Sequence, residues 1–169
     1  MASQGQEGLV PDNPFIAHTR QVWVADGYVP ETYYTLSPEA AELLRPVFGS
    51  WGFDPSQDEF NFGWTPKGTA AYTVGNQVHI NSDWWGEQTG LDRLALVAHE
   101  VTHSVQYQSL GYGSFLSRYA GEYNTGENYV VPGSLKATPI GQVDVVNSQF
   151  TLDQTAERSA LEVRWRYGQ

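Results

Sequence analysis

Apolar residues recur at intervals of three and four positions in four stretches of the chain. This spacing places them on one face of an α-helix, so each stretch is predicted to be an amphipathic helix. Ser37 and Thr151 precede two of the stretches and suit the N-cap position, where a hydroxyl accepts a hydrogen bond from the first turn. The predicted helices run from Pro38 to near Gly49, from Thr89 to about Gln108, from about Gly113 to Tyr123 and from about Leu152 to Arg166.

An alternation of apolar and polar residues predicts a β-hairpin just before the second helix. Ala71–Val74 and Gln77–Ile80 flank Gly75-Asn76, a dipeptide that favours a two-residue turn. Gln21–Val24 is predicted to be one further short strand. The order of these elements predicts an α+β fold in which a small antiparallel sheet packs on helices. Residues 50–68 and 124–150 are rich in turn-forming residues and are predicted to be loops.

The composition limits the domain organisation. The chain has 169 residues, which suits a single domain with a hydrophobic core. Residues 1–14 are polar and contain several glycines and prolines, so we predict a flexible lead-in followed by one domain over residues 15–169. These first residues lack the pattern of a secretory signal, and the sequence leaves the localisation open between the cytoplasm and export by a non-classical route.

The charge and the apolar runs limit the partners. The formal net charge of −10 argues against nucleic acid or an anionic membrane surface as the main partner. Apolar runs in the sequence are shorter than the roughly 20 residues that a membrane helix needs, so no membrane insertion is predicted. The chain has no cysteine, so any zinc ligands must be histidine, aspartate or glutamate.

The second predicted helix carries the motif H-E-x-x-H, formed by His99, Glu100 and His103. Residues four apart share a helix face, so the two imidazoles can bind one zinc ion from the same side. Glu100 then lies where a general base can take a proton from water at the metal. The motif therefore predicts a Zn²⁺ site with His99 and His103 as metal ligands and Glu100 as the catalytic residue.

A catalytic zinc site needs a third protein ligand and an open position. The last predicted helix offers acids, and Glu157 is the favoured ligand because it lies further inside the helix. Asp153 is the alternative, although an acid near a helix start also suits a capping role. Glu162 is a weaker third choice. Candidates for stabilising an oxyanion are His79, Tyr119, Tyr123 and Tyr129.

These residues also resemble a known family. An H-E-x-x-H helix with a downstream acid is similar to the gluzincin type of zinc metallopeptidase. Ala71–Ile80 and Leu96–Tyr107, with Gln106 after the second histidine, more closely resemble the metallopeptidase domain associated with bacterial extracellular contractile injection systems. The resemblance covers residues 70–123 and, loosely, 151–165, and it implies a zincin-like fold. The family's closing motif has Asn-Pro before the acid, which is absent here, so the third ligand stays open by one helical turn.

We expect a zinc-dependent metallopeptidase that hydrolyses a peptide or protein substrate. The alternative is a catalytically silent, zinc-containing interaction module that binds an injection-system component or a toxin. The two differ in whether the zinc keeps an open position or is capped by a fourth protein ligand, for which residues 124–150 are the expected source. A third hypothesis is carbohydrate or cell-wall binding through exposed aromatic side chains such as Trp84 and Trp85.

Overall fold

The computed structural model of the chain describes residues 9–125, 144–147 and 149–168. Within these residues it contains one sheet and five α-helices, and it is therefore an α+β fold. No helix in these ranges is both long enough and apolar enough to cross a bilayer. The strands are β1 Phe15–Val24, β2 Gly27–Leu36, β3 Glu59–Gly63, β4 Ala71–Val74 and β5 Gln77–Asn81, and the helices are α1 Pro38–Phe48, α2 Ser82–Gly86, α3 Gly90–Leu110, α4 Tyr112–Thr125 and α5 Leu152–Tyr167.

The sheet is mixed, not antiparallel as the sequence predicted. Its strands lie in the order β1-β2-β3-β5-β4, and β3 runs parallel to β5 while the other neighbours are antiparallel. β3 falls in residues 50–68, which were predicted to be a loop. The strand is five residues long and stands among glycines, prolines and short turns, so its local pattern is weak. The predicted hairpin itself is confirmed, and its turn residue Gly75 has a φ of 63°.

Strands β1 and β2 form a long hairpin, of which the predicted strand Gln21–Val24 covers only one end. They pair in register from Phe15 with Leu36 to Val24 with Gly27, but β2 meets β3 at a single recorded pair, Tyr34 with Phe60. Most of the hairpin therefore extends beyond the rest of the sheet, and its side chains are exposed on both faces. With neither face buried, the sequence shows no apolar alternation there.

Two helices begin at the predicted N-caps, Ser37 and Thr151, and a third begins at the predicted start, Thr89. The Ser37 hydroxyl accepts a hydrogen bond from the Ala40 amide at 3.2 Å, and Thr89 caps α3 in the same way. Thr151 and Gln154 form a reciprocal capping box at the start of α5. Gly111, with a φ of 83°, ends α3 and lets α4 begin at the next residue.

Helix α3 lies at the centre of the fold between the sheet and α5. Its predicted apolar face is confirmed, because Leu94, Val97, Ala98, Val101 and Val105 are all buried. Helix α5 packs on α3 with small side chains at the contact, Ala156, Ser159 and Ala160. The Thr102 hydroxyl of α3 donates to the Ala98 carbonyl at 2.7 Å and lies within hydrogen-bond distance of Ser159 Oγ, at 2.6 Å. Two helices thus run close together, which brings their polar residues within bonding distance.

The described part of the predicted lead-in, residues 9–14, lies against the start of α3. Val10 packs on the core, and the Arg93 guanidinium donates to the Asp12 carbonyl at 2.6 Å. A Cβ at Gly90 would lie 2.6 Å from the Pro11 carbonyl oxygen, so this close approach requires glycine. Residues 1–8 of the lead-in lie outside the described residues.

Asp58 is a buried acid that contacts α3, the helix that carries the H-E-x-x-H motif. It is fully buried, and its Oδ2 accepts a hydrogen bond from Ser104 Oγ at 2.5 Å. Within the described residues its Oδ1 has no hydrogen-bond partner. Burial raises the pKa of Asp58 to about 8, although the hydrogen bond from Ser104 acts in the opposite direction.

We expect Asp58 to make the protein less stable as the pH rises from about 4 to about 8. In this window the folded protein keeps a proton on Asp58, whose pKa is about 8, while the unfolded chain, with a pKa near 3.8, has released it. The free energy of unfolding should therefore fall by up to about 1.4 kcal/mol per pH unit, and Asp58→Asn should remove this slope. Urea unfolding across this pH range, with chelator present, checks it.

The exposed Asp26 offers a matched control for this experiment. Asp26→Asn makes the same chemical change in the β1–β2 turn and should leave the slope of the wild-type protein unchanged. Parallel pH dependences for the wild-type protein and Asp58→Asn would contradict the prediction.

Candidate metal centre

Two helices each present a pair of metal-binding residue types to the same place. His99 and His103 lie four positions apart on α3, and Asp153 and Glu157 lie four positions apart on α5. Residues at this spacing share a helix face. Because α5 packs directly on α3, the structure brings these four side chains together.

One atom from each of three side chains converges on a common point. His103 Nε2 lies 3.0 Å from Asp153 Oδ1, and His99 Nε2 lies 3.5 Å from the same oxygen. The three groups can each place one ligand atom within 4.8 Å of the other two. The structure thus contains a candidate metal-binding cluster of His99, His103 and Asp153.

The other ring nitrogen of His103 is bound by Gln106. Gln106 Nε2 donates to the carbonyls of Val145 at 3.0 Å and Leu152 at 3.1 Å, which fixes the orientation of the amide. Its Oε1, which can only accept, therefore faces His103 Nδ1 at 2.8 Å. His103 must donate from Nδ1, so in the neutral ring Nε2 carries the lone pair that can bind a metal.

Glu157 holds His99 in the same way. Its Oε2 lies 3.0 Å from His99 Nδ1, on the side of the ring away from Asp153. The structure therefore places the favoured third ligand behind a histidine and places the alternative, Asp153, in the cluster. A carboxylate behind a histidine fixes the ring and makes its other nitrogen a better metal ligand. Glu162, the weaker choice, is buried against Arg166 and is not part of the cluster.

The donor set fits a divalent cation. With both Nδ1 atoms facing other partners, two Nε2 atoms and one carboxylate oxygen face one another, an arrangement that bound protons or a metal cation between them would stabilise. Burial lowers the pKa of His99, but hydrogen bonds to Asp153 and Glu157 outweigh it and raise the pKa well above its usual value. Two nitrogen donors and one oxygen donor form a set that could hold a divalent cation such as zinc.

Glu100 is buried beside the cluster. Its Oε1 accepts a hydrogen bond from Thr73 Oγ1 at 2.9 Å, and its Oε2 lies 3.8 Å from His99 Nε2. One carboxylate oxygen is thus held by strand β4, while the other points toward the cluster. This is where the sequence placed the general base.

The oxyanion candidates have different positions. Tyr119 and Tyr123 line the cleft, although the Tyr119 hydroxyl donates to Asp153 Oδ2 at 3.2 Å and so holds that carboxylate. His79 lies opposite Tyr72 in the β4–β5 pair, so its side chain points to the sheet face away from Thr73. There its Nδ1 contacts Asn61 Oδ1 at 2.6 Å, and it does not reach the cluster. Tyr129 lies outside the described residues.

Sequence reasoning missed the residues that hold Asp153 in place. The Arg118 guanidinium on α4 donates to the carbonyls of Val146, Asn147 and Phe150 at 2.8–3.0 Å. Glu122, one turn further along α4, accepts the Leu152 amide at 2.8 Å. An Arg and a Glu four apart predict an ion pair within a helix, and nothing in the sequence indicates these distant backbone partners.

A cleft of about 950 Å³ opens over the cluster. Strand β4 forms one wall, and aromatic residues of α4 form another.

Trp84 also lines this cleft, but Trp85 is 9% exposed and stacks on Phe15, so the two rings do not form an exposed pair. The carbohydrate hypothesis named both rings as exposed aromatics, and Trp85 is buried. As for a capping ligand from residues 124–150, residues 126–143 and 148 lie outside the described residues.

The fold and the site define an α+β protein with a candidate metal centre on two packed helices. A family model described as the eCIS core domain matches residues 65–111. This segment includes β4, β5, α2 and α3, and it associates the chain with extracellular contractile injection systems, as the sequence resemblance implied. No curated protein and no solved structure gives a significant match to the chain.

Proposed function

We propose that the protein is a zinc-dependent peptidase in which His99, His103 and Asp153 bind the metal and Glu100 is the general base. The observation that carries the proposal is the convergence of His99 Nε2, His103 Nε2 and Asp153 Oδ1 beside a buried Glu100. The Nδ1 contacts to Gln106 and Glu157 support it, because histidines that bind a metal commonly donate their other ring nitrogen to such a partner.

The residues divide the chemistry between them. When bound, zinc would lower the pKa of a water molecule and polarise the carbonyl of the scissile bond. Glu100 Oε2 takes a proton from the attacking water and later delivers it to the leaving amine. Thr73 keeps Oε1 out of this exchange, since it donates a hydrogen bond to that oxygen. Gln106 and Glu157 keep the two imidazoles oriented.

An extended substrate has a place to bind along β4. Because β4 is the last strand in the sheet, one of its edges is unpaired by the other described strands, whereas β5, which carries His79, lies inside the sheet. The Ala70 carbonyl accepts from the Asn81 amide at 2.8 Å, so alternation turns the backbone groups of Ala71 and Thr73 toward the free edge. A peptide added there would lie along the cleft wall.

We propose that the substrate is a protein or peptide associated with an injection system. Support comes from the eCIS core domain match, which includes the motif helix and the β4 edge. The alternative, an interaction module that keeps zinc for structure, predicts metal binding without hydrolysis.

We expect the zinc-loaded protein to cleave members of a mixed-sequence peptide library. Treatment with a chelator should abolish cleavage, and added zinc should restore it, because the metal supplies the electrophile and Glu100 alone is insufficient. Mass spectrometry of the library measures peptide cleavage, and elemental analysis of the protein measures bound zinc. One equivalent of bound zinc with no cleaved peptide would contradict the peptidase proposal and favour the interaction module.

A further inference from the structure

We infer that Thr73 is a positioning residue that sets the orientation of the Glu100 carboxylate from the same strand edge that is proposed to bind substrate. This inference rests on the proposed function, and it assigns Thr73 no direct part in the chemistry. It joins two parts of the site that lie 27 positions apart in the sequence.

The contact between Thr73 and Glu100 is buried and specific. Thr73 Oγ1 lies 2.9 Å from Glu100 Oε1 and 3.1 Å from the Glu100 carbonyl oxygen. Thr73 is 8% exposed and Glu100 is 4% exposed, so little water competes for these groups. A hydroxyl has one proton to donate, and a buried carboxylate oxygen is the stronger acceptor.

The contact with the Glu100 main-chain carbonyl does not by itself explain the role of the Thr73 hydroxyl. Glu100 lies in the middle of α3, where a main-chain carbonyl is already bonded by the amide four residues later. Within the described residues, the donor to the carboxylate oxygen Oε1 is Thr73 Oγ1, while His99 Nε2 lies 3.8 Å from the other oxygen, Oε2. A buried carboxylate without a donor would be costly, so the carboxylate is the group that needs Thr73.

The position of Thr73 in the strand gives it two separate contacts. Its side chain points to α3, since it shares a sheet face with buried Val78, its partner across the β4–β5 pair. Its backbone amide and carbonyl point to the free edge of β4. A peptide that pairs with this edge would therefore contact the residue whose hydroxyl orients the base, so substrate alignment and base orientation share one rigid element.

Two substitutions separate the hydroxyl from the shape of the side chain. Thr73→Val keeps the size and branching but removes the hydroxyl, and Thr73→Ser keeps the hydroxyl. In crystal structures of the zinc-loaded variants, the Glu100 carboxylate should keep its orientation in Thr73→Ser and rotate in Thr73→Val. An unchanged carboxylate in Thr73→Val would overturn the inference, whether or not any peptide is cleaved.

Kinetics provide the second readout on a cleaved peptide. For Thr73→Val we expect kcat to fall about 10- to 100-fold, which is the usual effect of losing a hydrogen bond to a charged group, with KM and zinc content unchanged. Thr73→Ser should retain most of the kcat. Wild-type kcat in Thr73→Val would overturn the inference. A wild-type protein that cleaves nothing would instead contradict the proposed function, and the crystal structures would still decide the role of Thr73.

Discussion

Replacing Glu100 with glutamine is expected to abolish peptide hydrolysis while the zinc stays bound. Glutamine has the same size and keeps an oxygen that can accept the hydrogen bond from Thr73, but it cannot take a proton from water. General-base catalysis contributes a factor of about 10² to 10⁴ to the rate, so kcat/KM should fall by a factor in this range or larger. Metal binding should persist, because Glu100 is not in the cluster formed by His99, His103 and Asp153.

The measurement compares kcat/KM and zinc content in the wild-type protein and Glu100→Gln. Glu87→Gln is the matched control, because Glu87 is an exposed glutamate that lies outside the cleft lining. Wild-type kcat/KM in Glu100→Gln would exclude Glu100 as the base. Loss of zinc in the same variant would show that Glu100 supports the metal instead of moving a proton.

Asp153→Ala is expected to weaken zinc binding far more than Glu157→Ala does. Asp153 Oδ1 faces both histidine Nε2 atoms, so its removal takes away one of three ligands. Glu157 contacts the opposite nitrogen of His99, and loss of such a partner typically costs about 10- to 100-fold in affinity. Competition with a chromophoric chelator at fixed pH measures both affinities.

Which variant loses more zinc affinity decides between Glu157, the third ligand favoured by the sequence, and Asp153, the one favoured by the geometry. A greater loss in Glu157→Ala would identify Glu157 as the third ligand, as the sequence favoured. Asp26→Ala removes an exposed acid far along the chain and controls for the change in net charge. Equal affinity in Asp153→Ala and the wild-type protein would contradict the proposed ligand set.

The parts of the fold that follow from local sequence were predicted well. The helix caps Ser37, Thr89 and Thr151 act through bonds to residues three positions away, and the H-E-x-x-H spacing lies within one helix. Strands β1, β2 and β3 were missed or shortened. Most of β1 and β2 is exposed on both faces, and β3 is short, so their positions depend on pairing with distant strands and not on local pattern.

The choice between Asp153 and Glu157 could not be made from the sequence for a related reason. Asp153 and Glu157 occupy the same face of α5, one turn or about 6 Å apart along the helix axis. Which of them reaches the histidines depends on how far α5 is shifted along α3, and contacts such as Thr102 with Ser159 set that shift. The role of Thr73 likewise depends on a contact between a strand and a helix that no sequence spacing indicates.

Arg118 and Glu122 make the position of Asp153 depend on a third helix. They hold the chain immediately before Asp153, although α4 contributes no residue to the cluster of His99, His103 and Asp153. Substitutions in α4 that break these bonds should therefore disturb the candidate metal centre without altering any of its proposed ligands.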